Sequence, residues 1–275
     1  MRLNDMEFSI DGNNIGHYAY TVMSSDTDSF YNTRLSLYQE LVQEVAGLHA
    51  NYRGVGISDL QKAGKTWVIA RSRMEIYHYG WWQDVLDVET WPQDPVGLNC
   101  PRIVRAFNRK DGKPVFFTNT KWAIIDTVKG RPLRPKEVTD ALILPPKELQ
   151  MDATLPNNQE KIESCDKVLA VYEPVIHYLD TDVNHHVNNV SYTNWILEAL
   201  PASFMDAYKP SLVDVRWIRQ TYRKDHLTVT VLAEDENGFE KENPELYFRI
   251  ERIKDDGSRE DVFDALTEWK PRNSF

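Results

Sequence analysis

The chain has 275 residues, more than the ~100–150 of a typical single domain, so we expect two packed units or one large one. Its composition, 41% hydrophobic and 27% charged, excludes a disordered chain, a collagen-like repeat and a disulfide scaffold. The formal net charge of −10 argues against nucleic acid or an anionic membrane as the main partner, because repulsion would oppose every approach.

The first residues and the cysteines indicate the compartment. No apolar run approaches the ~18–20 residues that cross a bilayer, and residues 1–12 lack the apolar core of a signal peptide. The two cysteines, Cys100 and Cys165, lie far apart, and without a secretory signal we interpret both as reduced thiols. We therefore expect a cytoplasmic protein with no membrane span.

The first half of the chain predicts one helix followed by antiparallel strands. Residues 31–46 carry apolar side chains at the three-or-four spacing of a buried helix face, namely Leu37, Leu41, Val42 and Val45. Strand patterns follow at 65–77, 84–91, 101–108 and 115–125. Asp111-Gly112 between the last two strands is a strong hairpin signal.

The second half repeats this order. A helix is predicted at 188–204, with Tyr192, Trp195, Ile196 and Leu200 on one face, and strands at 212–222, 227–233, 247–253 and 261–269. Asp256-Gly257 lies 145 residues after the first Asp-Gly, and Thr120-Lys121-Trp122 recurs as Thr267-Glu268-Trp269. We expect a duplicated α+β fold in which each long helix packs on an antiparallel sheet, with domains at 1–145 and 167–275 and a polar linker at 146–166.

One segment, 178–195, concentrates polar chemistry. Seven candidate side chains fall within ten residues: Asp180, Asp182, Asn184, His185, His186, Asn188 and Asn189. The segment follows a predicted strand at 167–179 and opens the second helix, for which Asn188 or Asn189 can act as N-cap. The helix dipole there favours developing negative charge.

Three interpretations of this segment compete with catalysis. A calcium loop is excluded, because His185 and Ser191 stand where Gly and Glu are required. A zinc site would use the adjacent histidines, yet no cysteine or second helical histidine completes a ligand set. An Asx-rich turn that only caps the helix stays open on local composition.

The segment closely resembles the active-site motif of the acyl-acyl-carrier-protein (acyl-ACP) thioesterases, Asp-x-Asn-x-His-Val-Asn-Asn-x-x-Tyr-x-x-Trp. Asp182, Asn184, His186, Val187, Asn188, Asn189, Tyr192 and Trp195 all fit this pattern. Residues 41–49, 66–75 and 84–91 resemble the family's N-terminal half. The resemblance covers nearly the whole chain and implies two tandem hot-dog domains.

The resemblance implies hydrolysis of fatty acyl-ACP to free fatty acid and ACP, without cofactor or metal. Asp182, Asn184 and His186 would carry the family's catalytic roles. His186 titrates near neutrality, Asp182 could orient it or act as base, and the Asn184 amide can donate to the thioester carbonyl. Gln220 stands where the family has a catalytic Glu, and an amide can orient water but cannot take its proton. His185 and Asp180 are expected to flank the site.

The resemblance implies that the N-terminal half holds the acyl chain, and that the partner is an acidic carrier. Docking it on an acidic protein needs a local basic patch, for which Arg216, Arg219, Arg223 and Lys224, or Arg71 and Arg73, are candidates. Two alternatives remain: a thioesterase of the same fold acting on acyl-CoA or a polyketide-type thioester, and a non-hydrolytic acyl-binding relative. Two copies in one chain are compatible with a monomer or a homodimer.

Overall fold

The computed structural model describes residues 8–152 and 154–275. The chain divides into two compact units with the boundary between Leu155 and Pro156. Within the predicted linker, Leu149 packs against the core of the first unit and Ile162 lies in the core of the second. Each end of the linker segment therefore belongs to the unit beside it.

Unit 1 is an antiparallel sheet with one long helix and two short ones. Its strands are β1 (Ser9–Ile10), β2 (Gly16–Thr21), β3 (Lys65–Ile76), β4 (Val85–Pro92), β5 (Asn99–Asn108), β6 (Pro114–Asp126) and β7 (Arg131–Leu133). Its helices are α1 (Leu35–Tyr52), α2 (Ile57–Lys62) and α3 (Lys136–Leu142). The strand order is β1-β2-β4-β5-β6-β3, with β7 paired to β6.

Unit 2 repeats this topology. Its helices are α4 (Gln159–Ser164), α5 (Asn189–Glu198) and α6 (Ala202–Ala207). Its strands are β8 (Lys167–Tyr172), β9 (Tyr208–Trp217), β10 (His226–Ala233), β11 (Glu245–Ile253) and β12 (Arg259–Pro271). The order β8-β10-β11-β12-β9 matches β2-β4-β5-β6-β3, so the predicted duplication is confirmed.

Each long helix buries its apolar face against its own sheet. The predicted α1 stripe is buried throughout, and α1 contacts β2 and β4. In unit 2 the predicted stripe, Tyr192, Trp195, Ile196 and Leu200, is also buried, and α5 contacts β10. Burial of these faces holds the helices in place, since short helices are marginal in water by themselves. None of the helices in the described part of the chain is long and apolar enough to cross a membrane.

The repeated landmarks of the sequence occupy equivalent positions. Gly112 and Gly257 have φ of 70° and 79°, the left-handed conformation that their hairpin turns require. The Trp122 indole donates to Thr120 Oγ1 at 2.9 Å, and the Trp269 indole donates to Thr267 Oγ1 at 2.7 Å. The recurrence reflects the same side-chain hydrogen bond on the last long strand of each unit.

Several predicted element bounds are wrong, and four of them have a local reason. Helix α1 begins at Leu35 rather than residue 31, because residues 27–33 form a tight loop. The second helix breaks into α5 and α6 around Pro201, whose ring has no N–H to continue the helix. Strand β8 ends at Tyr172, just before Pro174, and strand β9 ends at Trp217, which leaves residues 218–225 as a loop. Helix α1 also continues to Tyr52, beyond its predicted end at residue 46, and β9 begins at Tyr208 rather than residue 212.

The interior of unit 1 contains a histidine that must stay neutral. His49 on α1 is fully buried, with Nε2 3.2 Å from the Asn14 carbonyl oxygen and Nδ1 3.4 Å from an Arg102 nitrogen. A guanidinium can only donate, so Nδ1 accepts and Nε2–H donates, which only the neutral ring allows. Burial, and then the charge of Arg102, lower the pKa of His49 to about 3.

We expect the free energy of unfolding to decrease as the pH drops from 6.5 toward about 3, because unfolded His49 takes up a proton that the folded chain refuses. The contribution is at most about 1.4 kcal/mol for each pH unit. Urea unfolding between about pH 4 and pH 7 measures it, and His49→Gln, which keeps a donor and an acceptor, should show the shallower dependence. Equal pH slopes in the two proteins would contradict this origin.

Candidate active site

The loop between β8 and α5 closes on itself before the helix begins. Thr181 and Val187 form an isolated antiparallel bridge, and the Asp182 N–H donates to the His186 carbonyl at 2.8 Å. The His185 N–H donates back to the Asp182 carbonyl at 3.0 Å, and His185 takes a positive φ of 62°. Residues 182–186 therefore form a tight turn. Because it contains three of the predicted site residues, Asp182, Asn184 and His186, we call it the catalytic loop.

The Asp182 carboxylate organises the catalytic loop. Its Oδ1 accepts the backbone N–H of Asn184 at 2.8 Å and that of His186 at 3.2 Å. Its Oδ2 lies 3.5 Å from the Asn184 amide nitrogen, at the outer limit of a hydrogen bond. The structure thus brings the Asp182 and Asn184 side chains together and binds the backbone of His186 to the same carboxylate.

His186 is half-buried and its ring is in contact with an aromatic side chain. The ring meets Tyr222 edge to face, with centroids 5.1 Å apart. Burial lowers the pKa of His186; the negative charge of Asp182 opposes this shift, and the neighbouring His185 adds to it. The imidazole is consequently mainly neutral near pH 7 and can accept a proton.

Asp180 and Asn188 fasten the loop to the start of α5. Asp180 accepts the His177 N–H at 2.7 Å and the Ser191 hydroxyl at 3.0 Å, while its carbonyl accepts the Asn188 N–H at 2.6 Å. Asn188 is the N-cap, and its side chain accepts the Val190 N–H at 2.9 Å. The prediction that Asn188 or Asn189 caps the helix is therefore confirmed for Asn188, and the loop that ends there also carries Asn184 and His186.

Gln220 lies in the loop 218–225, which approaches the catalytic loop through Thr221. The Thr221 carbonyl accepts the Val187 N–H at 3.0 Å, and its hydroxyl is 2.6 Å from the buried Tyr192 hydroxyl. Gln220 itself is exposed, and its carbonyl accepts a hydrogen bond from Arg252. Within the described residues, no hydrogen bond joins its side chain to Asp182, Asn184 or His186.

Tyr222 is the contact that sequence reasoning missed. It lies two residues beyond Gln220, in a stretch predicted as a strand. That prediction did not place its side chain near the catalytic loop. Its N–H donates to Asp225 at 2.9 Å, which closes a turn and directs the ring toward His186. A Tyr-x-x-Asp turn signal in the sequence was the available clue.

Unit 1 contains an equivalent loop that lacks the imidazole. The Asp28 N–H donates to the Asn32 carbonyl at 2.8 Å, and Asp28 Oδ1 accepts the N–H groups of Phe30 at 2.9 Å and Asn32 at 3.1 Å. Tyr31 has a φ of 61°, as His185 has 62°. Phe30 and Asn32 stand where unit 2 has Asn184 and His186, so the aspartate turn belongs to the fold and only unit 2 equips it with an amide and an imidazole.

The comparisons with known proteins agree with this duplicated architecture. Residues 15–143 match the acyl-ACP thioesterase N-terminal domain and residues 165–271 match the C-terminal domain. Chloroplastic oleoyl-acyl carrier protein thioesterase 1 of Arabidopsis thaliana is 24% identical over 282 residues, covering 93% of this chain and 76% of its own.

Solved structures show the same fold. An acyl-ACP thioesterase from Bacteroides thetaiotaomicron superimposes with a TM-score of 0.72 at 24% identity, covering 93% of this chain and 98% of its own. The 12:0-ACP thioesterase from Umbellularia californica gives 0.76 at 19% identity, covering 96% and 100%. The protein is a duplicated hot-dog protein, as predicted. The chain belongs to the acyl-ACP thioesterase family, which confirms the predicted class of enzyme, a thioester hydrolase.

We expect two substitutions beside His186 to shift its pKa in opposite directions. Tyr222→Ala should raise the pKa of His186, because it returns the ring to water, and Asp182→Asn should lower it, because a stabilising negative charge is lost. Proton NMR titration of the histidine ring resonances measures both. Shifts of the same sign in the two variants would show that burial and charge do not act as described.

Proposed function

We propose that this protein hydrolyses the thioester of fatty acyl-ACP and releases free fatty acid and ACP, ending chain elongation in fatty acid synthesis. The observation that carries the proposal is the catalytic loop, where one turn presents a carboxylate, an amide and an imidazole within a chain that matches the family in both halves. These groups suffice for thioester hydrolysis without a cofactor.

His186 serves as the general base in this proposal. A mainly neutral imidazole can take a proton from water as that water attacks the thioester carbonyl carbon. The resulting imidazolium then returns the proton to the sulfur as the carbon–sulfur bond breaks, so that ACP leaves as a thiol. Asp182 favours the imidazolium through its charge, which stabilises the transition state for both steps.

Asn184 serves as the donor to the oxyanion. Its amide can give an N–H to the carbonyl oxygen as negative charge develops there, and its orientation is supported by the backbone bond from Asn184 to Asp182. Helix α5 begins directly after this loop, so the positive end of its dipole adds to this stabilisation in the proposal.

Asp182 acts as a positioning residue rather than as the base. Its Oδ1 is already shared by two backbone N–H groups, and hydrogen bonding to the charged form makes a carboxylate a weaker base. The equivalent Asp28 makes the same two bonds in a loop with no imidazole, which supports a structural role for this carboxylate. Between the two roles that the sequence left open for Asp182, we therefore favour orientation.

The acyl chain is assigned to unit 1, whose equivalent loop carries Phe30 and Asn32 in place of the reacting groups. We place the protein in the cytoplasm, which its two free, buried cysteines support. The Arabidopsis thaliana relative is chloroplastic by name.

The function is tested on a panel of acyl-ACP, acyl-CoA and acyl-pantetheine thioesters, with release of free thiol as the measurement. We expect the wild type to prefer acyl-ACP, and His186→Ala and Asn184→Ala to lower kcat by roughly 100-fold or more, as general-base and oxyanion losses do. Asn32→Ala, at the unit 1 position equivalent to His186, is the matched control and should keep its activity.

The outcomes separate the alternatives. Release only from acyl-CoA identifies a CoA thioesterase of the same fold, and binding without release by the wild type identifies an acyl-binding relative. An active His186→Ala variant would remove the imidazole from the mechanism.

Gln220 provides a second test of the site. Gln220→Glu should keep or raise the activity, because it restores a carboxylate that can share the proton of the attacking water. Steady-state kinetics on acyl-ACP measure the change, with Gln220→Ala as the comparison for loss of the side chain alone. A large loss in the Glu variant would mean that Gln220 does not occupy the place of the family's Glu.

A further inference from the structure

Of the four cations near the motif, two have carboxylate partners and two have none among the described residues. The Arg216 guanidinium donates to Asp264, with Nε to Oδ1 at 2.7 Å, and Arg219 lies 3.3 Å from Glu260. Arg216 is thereby paired on the sheet, whereas Arg219 shares Glu260 with Arg252 and Lys254. Arg223 and Lys224 are exposed, and no carboxylate pairs with either among the residues that the structure describes. The uncompensated positive charge therefore lies in the loop that follows Gln220.

Arg223 lies close to the turn that enters the catalytic loop, and Lys224 follows it in the chain. Tyr222, which precedes them, contacts the His186 ring, and the Arg223 guanidinium lies over the Tyr178 ring at 5.7 Å from its centroid. The cation–π contact joins the loop 218–225 to the turn that enters the catalytic loop. The neighbouring Asp225 does not cancel their charge, because it pairs with Arg252 at 2.9 Å.

Large apolar side chains are exposed in the segments on either side of the Arg223–Tyr178 contact. Leu179 is 90% exposed and Val183 74% exposed, and Tyr178 and Tyr222 are also exposed. The nearby carboxylates of Asp180 and Asp182 are turned inward as acceptors for the loop. We call this surface the docking rim: Tyr178, Leu179, Val183, Tyr222, Arg223 and Lys224.

We propose that the docking rim binds the acidic carrier protein and places its acyl thioester at His186. This inference rests on the proposed function and specifies the contact surface of its substrate. The rim combines exposed apolar area with unpaired cations, which is complementary to an acidic protein surface bearing apolar side chains. Because the whole chain carries a net charge of −10, an acidic partner needs a local positive patch, and the rim supplies one.

Binding tests the surface independently of turnover. The affinity of holo-carrier for the full-length protein is measured by fluorescence anisotropy at low salt. The double variant R223E/K224E should weaken binding roughly tenfold, and its remaining affinity should depend less on salt than that of the wild type. Leu179→Ser should weaken binding without changing the salt dependence. Arg223→Glu and Lys270→Glu each reverse one charge and form a matched pair. Exposed Lys270 pairs with the opposite end of β9 from the rim, so Lys270→Glu should bind as the wild type does, whereas Arg223→Glu should bind more weakly.

Kinetics supply the second readout. In R223E/K224E the ratio of kcat/KM for acyl-ACP to that for acyl-pantetheine should fall roughly tenfold, whereas Lys270→Glu should keep the wild-type ratio. An unchanged affinity and ratio in the double variant would overturn the docking proposal even if the protein hydrolyses acyl-ACP. Rim-dependent carrier binding without any hydrolysis would support the docking surface and reject the proposed function.

Discussion

The carboxylate of Asp182, shared between the N–H groups of Asn184 and His186, is the interaction on which the site depends. A side-chain acceptor that satisfies two backbone donors allows a five-residue turn with one left-handed residue, His185, to persist at the surface. That turn determines where the amide and imidazole are held. The same geometry brings the negative charge of Asp182 close to the His186 imidazole. One carboxylate therefore both holds the turn and affects the pKa of His186.

The duplicated fold shows what this interaction does without catalysis. Asp28 makes the same bonds in unit 1, and the adjoining tyrosines, Tyr38 and Tyr192, are both fully buried beneath the two loops. Duplication thus supplies two equally well-formed turns at two helix entries. Because a buried scaffold supports each turn, the same two positions carry an amide and an imidazole in unit 2 and an aromatic ring and an amide in unit 1. Phe30 and Asn32 show that the turn forms without the imidazole.

The fold was largely predictable because its main signals are local and periodic. The apolar stripes of α1 and α5 recur every three or four residues, and the Asp-Gly hairpins determine where the last two strands of each unit pair. The wrong element bounds explained above lie where a proline or a turn interrupts the periodic pattern of apolar residues. Pro174 and Pro201 end elements that hydrophobicity alone would continue. Residues 218–222 look like strand but form a loop, because Tyr222 and Asp225 close a turn there.

The sequence by itself determined the duplicated α+β architecture, the family and the motif with Asp182, Asn184 and His186, since periodicity and close spacing are properties of the chain. Only the tertiary structure decided which neighbours these groups have. Tyr222 contacts His186, and Arg216 and Arg219 pair with carboxylates, although these partners are distant in the chain. The exposure of Gln220 likewise results from the geometry of its loop. Burial and charge, which set the basicity of His186, are products of that packing.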